Sequence, residues 1–207
     1  MTAQKAAKKA AAKSAKKTAE LPIKLFKGPT AWADWLAKNH TKSPGVWLRL
    51  AKKDSGLSSV TYAEAVEAAL CYGWIDGQAR RADEKSYLQR FTPRGPRSIW
   101  SLINRDKALA LIQSGQMQPA GLAAIERAKA NGQWEAAYAG AKTMPMPDDL
   151  QAALDASPRA KAFFATLNST NRYAIQLRLH TAKKPETRAR RLAQFVAMLE
   201  KGEKLYP

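Results

Sequence analysis

The sequence predicts an α+β fold: a small antiparallel sheet of about three strands within residues 46–92, backed by helices, and then a mainly α-helical C-terminal half. Two patterns carry this expectation. Apolar and polar residues alternate along 46–53 and 86–92, the two-residue period of a half-buried strand. From about residue 98 the chain turns to helical segments, separated by Ser, Pro and Gly at the positions that start and stop helices.

In chain order, Thr30 is the expected N-cap of a short helix whose Trp32, Trp35 and Leu36 share one face. Ser43-Pro44-Gly45 is a turn. In the strand that follows, Val46, Leu48 and Leu50 point one way and Trp47 and Arg49 the other. Thr61 and Glu64 form a capping box for a helix to about Tyr72, with Gly73 at the C′ position and Ala65, Ala68, Ala69 and Tyr72 as a thin apolar stripe. Trp74-Ile75-Asp76-Gly77 leads into two strands, Gln78–Ala82 and Ser86–Thr92, around the polar loop Asp83-Glu84-Lys85. Tyr87, Gln89 and Phe91 should share one face, and Leu88, Arg90 and Thr92 the other. Ser98 is the expected cap of a helix from Ile99 to Ser114, closed by Gly115. Later helices open at Pro119, at Pro147 with Asp148 and Asp149 in the first turn, at Ser157-Pro158, near Thr170, and at Pro185-Glu186. The last should bury Leu192, Phe195, Val196 and Leu199.

Domain organisation follows from the composition. Residues 1–20 are an Ala/Lys-rich basic tail, in which Lys5, Lys8, Lys9, Lys13, Lys16 and Lys17 repel one another and no apolar face exists to bury; a disordered segment is expected. Residues 21–207 are read as one domain, with a sheet-containing part, 21–115, and a helical part, 116–207. The formal net charge is +18; removing the six tail lysines leaves +12 on residues 20–207, so the basic balance is not confined to the tail. Polyanions such as nucleic acid are therefore candidate partners, through the tail and through a basic face, alongside a protein partner. No apolar run approaches the ~20 residues of a membrane span. The absence of a signal-type apolar region points to the cytoplasm.

Several chemistries find no support in the residues. The one cysteine, Cys71, lies in an apolar helix and reads as a small buried hydrophobe. The two histidines, His40 and His180, are far apart, and no nucleophile elbow, zinc-helix motif, P-loop or dinucleotide fingerprint occurs. Catalytic residues, metal ligands and cofactors are thus not expected. Asn168-Ser169-Thr170 forms a short turn before a helix offering Asn171, Arg172, Gln176 and Arg178, types that contact DNA in helix-turn-helix proteins. The richest constellation lies between Tyr62 and Asn104. There Trp74, Asp76, Arg90, Arg94, Trp100 and Asn104 are candidate ligand-binding residues: Arg90 and Arg94 to hold an anion, Trp74 and Trp100 to stack, Asp76 to orient. The competing reading packs the tryptophans against the sheet as core and has Asp76 cap a turn or hold an Arg in a salt bridge.

The same region carries a resemblance. The blocks ALCYGWIDG, YLQRFTPR, SIWSLIN, LIQSGQM with GLAAIERAKANGQW, and AKKPETRARRL occur in order across most of Leu21–Leu199. By these the sequence resembles the YdeI/OmpD-associated family, also called the bacteriocin-protection family. The resemblance implies a role in bacterial resistance to cationic antimicrobial peptides and bacteriocins, association with an outer-membrane porin and a periplasmic setting, with no catalytic residues to carry over. The chain departs from it in lacking a signal-type segment. A basic protein also repels cationic peptides, so protection by this chain is expected to be indirect, through a partner or a regulatory route.

Overall fold

The structure, a computed structural model, describes residues 20–207. The six tail lysines proposed as a polyanion anchor lie outside the described residues. The chain divides into two compact units, one ending at Pro93 and one spanning Arg94–Pro207. The helix after residue 98, grouped above with the sheet, belongs to the second unit.

The first unit is a four-stranded sheet with two helices. Its elements are β1 (Ile23–Lys24), α1 (Pro29–Asn39), β2 (Val46–Ala51), α2 (Tyr62–Cys71), β3 (Trp74–Arg81) and β4 (Ser86–Pro93), with spatial order β1-β2-β4-β3. Strands β2, β4 and β3 are antiparallel, as the hairpin pattern predicts. The two-residue β1, too short to show a period, adds in parallel at the edge. Helix α1 is capped by Gly28 rather than Thr30, because Pro29 takes the first helical position, where its missing N–H costs nothing. Helix α2 has the full capping box, with Thr61 and Glu64 each bonded to the other's backbone. Gly73 follows α2 with φ +70, the left-handed stop that glycine adopts without strain.

One sheet face packs on the helices. Trp32 is fully buried and its ring lies 5.6 Å from Phe91, 5.3 Å from Trp35 and 6.4 Å from Trp74. Its indole N–H donates to the Ala65 carbonyl of α2 at 3.1 Å, so one side chain joins both helices to the sheet. Val46, Leu48 and Leu50 complete this face. At its edge Gly45 has φ +148, and a Cβ there would stand 2.8 Å from Thr92 Cγ2 and 2.9 Å from the Phe91 carbonyl oxygen.

The second unit is helical: α3 (Leu102–Gln113), α4 (Pro119–Ala130), α5 (Asp148–Asp155), α6 (Pro158–Thr166), α7 (Ser169–His180) and α8 (Pro185–Glu200). Helix α3 starts at Leu102, with Ser101 as its cap instead of Ser98. The cause is non-local: Tyr138 N–H donates to the Trp100 carbonyl and Leu102 N–H to the Tyr138 carbonyl, which holds residues 100–101 extended. Helices α5–α8 enclose one core of Leu150, Leu154, Phe164, Ile175, Leu179, Phe195 and Leu199. Asp149 is held there by a two-pronged bond from Arg188, at 2.6 and 2.8 Å.

Two outcomes test this account. Gly45→Ala should lower stability by about 1–3 kcal/mol in urea unfolding, from backbone strain and the clash with Thr92. The hydrogen bonds and charge of Arg188 hold the Asp149 carboxyl below the usual carboxylate range. Stability from this pair is therefore present above the unfolded-state value of ~3.9 and is lost as pH falls through the lower folded-state value. The two side chains are 37% and 32% exposed, so screening keeps the effect to about 1 kcal/mol. Asp149→Asn should remove that part of the acid dependence in a pH series of melts.

Candidate functional site

The six candidate ligand-binding residues fall in both units. Trp74, Asp76 and Arg90 belong to the first; Arg94, Trp100 and Asn104 belong to the second. Each group has its own local geometry.

In the first unit, Trp74 is 1% exposed and its indole N–H donates to the His40 carbonyl at 3.1 Å. Its ring meets Trp35 edge-on at 5.8 Å, inside the helix-covered aromatic cluster. Asp76 pairs with Tyr62 instead of an arginine, accepting from the phenol at 2.7 Å. Arg90 is half-buried, and its buried Nε has no hydrogen-bond partner among the described residues. It stands opposite Trp47 in the β2–β4 register.

In the second unit, Arg94 is 5% exposed and its guanidinium lies 3.5 Å from the Trp100 ring centroid. Its Nη1 donates to the Ile99 carbonyl at 3.1 Å, so the side chain folds back over its own loop. Trp100 is buried and meets Trp134 edge-on at 4.9 Å. Beside them is a void of about 10 Å³, lined by Arg94, Trp100, Arg127 and Asn131 among others. That is room for about one water. Asn104 is half-buried in the first turn of α3, where its backbone N–H is capped by Ser101.

Other singled-out residues are engaged in the fold. Cys71 is buried, and burial and then the nearby Glu67 push its thiol up, away from the reactive thiolate. Asn171 is 1% exposed and bonds the backbone of Tyr206 in both directions. Arg178 donates to the Tyr206 hydroxyl, and Arg172 to the Ala165 carbonyl. These side chains of α7 pin the C-terminal segment and the preceding helix. Among the described residues no group of three or more His, Cys, Asp or Glu is placed to hold a metal, and no helix is long and apolar enough to cross a membrane.

A concave surface does exist elsewhere in the first unit. On the sheet face opposite Trp32, the register sets Arg49, Leu88 and Arg80 in one row across β2, β4 and β3, with Trp47 and Arg90 two residues along. Arg80 Cζ lies 4.3 Å from the Trp47 ring centroid. A groove of about 410 Å³ opens here, lined by Ile23, Arg49, Arg80, Arg81, Ala82, Asp83 and Leu88. Its one acid is already engaged. Asp83 accepts from Ser86 Oγ and Lys85 N and is ion-paired with Arg49; bonds from Ser86, Lys85 and Arg49 hold its carboxyl below the usual range against the opposing effect of burial.

Arg80 reaches this face through a β-bulge. The register slips between Asp76 and Ala79, so the strand gains one residue against β4. Without it Arg80 would share the face of Asp76, under the helices. Buried Gln89 fixes the bulge by donating from Nε2 to the Gly77 carbonyl at 2.8 Å. The alternation at 46–51 already set Trp47 and Arg49 on the polar face; the bulge is what sequence reasoning missed, and Gly77 was its one local sign.

The architecture and these sites define a helix-backed sheet unit followed by a helical unit. Residues 24–124 match the profile of a domain of unknown function (DUF8412). Residues 143–202, which hold α5–α8, match the profile of the family described as Bacteriocin-protection, YdeI or OmpD-Associated. No curated protein and no solved structure matches the chain.

Arg94→Ala should lower stability by about 2 kcal/mol in urea unfolding, since it removes a desolvated cation–π contact and the packing of the side-chain stem. Arg81→Ala, at an exposed position, should change it by less than ~0.5 kcal/mol.

Proposed function

We propose that this protein acts by binding and not by catalysis, takes an anionic polymer on its basic sheet face, and through that partner serves stress or antimicrobial-peptide (bacteriocin) tolerance. The observation that carries the binding half is the groove over β2, β4 and β3. Three arginines line it; Arg49 is paired with its single carboxylate, Asp83, which leaves the charges of Arg80 and Arg81 to a partner. The net charge of the chain, +18, adds long-range attraction for any polyanion. The tolerance half is supported by the family match over residues 143–202.

The two halves fit together electrostatically. Cationic peptides are repelled by a cationic protein, so sequestering them is not a workable route. Both are drawn to the same anionic polymers, and a protein covering such a polymer shields it. In this reading Trp74, Arg94 and Trp100 are supports of the fold, and Arg90 lies beside the binding row without being its principal contact. The tail lysines Lys5 to Lys17 add affinity without selectivity.

Binding of labelled polyanions to the full chain should weaken steeply with salt. Contacts to about two phosphates on the sheet face give a log–log slope of about −1.5 to −2, steeper with the tail. A chain lacking residues 1–20 should keep the shallower slope. No binding to heparin or nucleic acid at low salt would remove the binding half. Bacteria lacking the protein should survive cationic peptides less well; unchanged survival would remove the tolerance half.

A further inference from the structure

We infer that the anionic polymer is single-stranded nucleic acid, and that one unpaired base stacks on the Arg80 guanidinium where it lies over Trp47. This rests on the reading of the sheet face as the polyanion-binding surface.

The stacking platform is built in advance. Arg80 Cζ lies over the Trp47 ring, 4.3 Å from its centroid, so the indole supports the guanidinium from one side, and the proposed base takes the other. Guanidinium planes stacked in this way are a recurring seat for unstacked bases. The Arg80 side chain is 43% exposed, and its ion pair with Glu20, at 3.7 Å, uses a carboxylate that is itself 82% exposed. Such a contact is weak and readily exchanged for a phosphate. Arg49, 40% exposed, lies across Leu88 from Arg80 in the same row, where its charge is met by Asp83. Exposed Arg81 continues the positive edge. The result is an apolar floor, a cation over an indole and a flanking cation, Arg81, within a groove of about 410 Å³, inside the size range of small-ligand pockets.

A single strand is favoured over the alternatives by what the site offers. A duplex keeps its bases paired and stacked inside, so it presents phosphates but no free base face. A sulfated polysaccharide presents charge and no aromatic plane. Either would use the arginines and leave the Trp47–Arg80 platform unused.

The test uses the full chain and labelled oligonucleotides of about a dozen residues, within the span such sites cover. A single strand should bind about tenfold more tightly than a duplex of the same sequence, a heparin fragment or anionic vesicles. Arg80→Lys keeps the charge but loses the plane; it should lose that preference while binding heparin like the unaltered protein. Arg81→Gln should weaken all polyanions alike. Thermal melts of both variants should match the parent, because both positions are solvent-exposed. Equal affinity for single strand, duplex and heparin would overturn the inference and leave the polyanion reading standing. So would an Arg80→Lys protein with its preference intact, or tighter binding to vesicles. Absence of binding to every polyanion at low salt would overturn both.

Discussion

The burial of Trp32 organises the first unit. A fully buried indole that stacks on Trp35, meets Trp74 and Phe91, and donates to the Ala65 carbonyl leaves α1, α2 and the sheet with one mutual arrangement. Aromatic contacts of this kind are worth ~0.5–1.5 kcal/mol each beyond area burial, so several of them outweigh any single surface ion pair. They also decide which sheet face is core. Once Phe91 and Trp74 are committed to the helices, the alternation of β2 and β4 puts Trp47, Arg49 and Arg90 on the other side. The apolar packing thus creates the charged face.

The bulge then refines that face. One extra residue between Asp76 and Ala79 reverses the alternation of β3 halfway along it. Asp76 stays with the core side and is held by Tyr62, while Arg80 is turned toward Trp47. A bulge leaves a backbone carbonyl without its ladder partner, and leaving such a group unmet in a buried setting costs ~1–3 kcal/mol. The buried Gln89 meets it. A residue that looks misplaced in a core strand is therefore what makes the cationic platform possible.

The two arginine–tryptophan pairs among the described residues have opposite fates. Arg94 over Trp100 is 5% exposed and closes a loop; Arg80 over Trp47 is 43% exposed and borders a groove. The same stacking chemistry serves stability in the first and is available to a ligand in the second. Residue type did not separate them. The candidate list built on the densest run of Trp and Arg contains the first pair and omits Arg80 and Trp47.

Local chemistry fixes much of this protein from the sequence alone. The capping box at Thr61 and Glu64, the glycine stop at Gly73, the Ser157-Pro158 helix start and the two faces of β2 all follow from steric and hydrogen-bond rules acting over a few residues, and they appear as read. The helix start after residue 98 was misplaced because Tyr138, nearly forty residues on, holds Trp100 and Ser101 extended. The aromatic and arginine residues around Trp74 and Trp100 are legible as a cluster but not as surface or interior. Burial, strand register and the bulge are settled between segments distant in sequence, and those alone decide which arginine meets solvent.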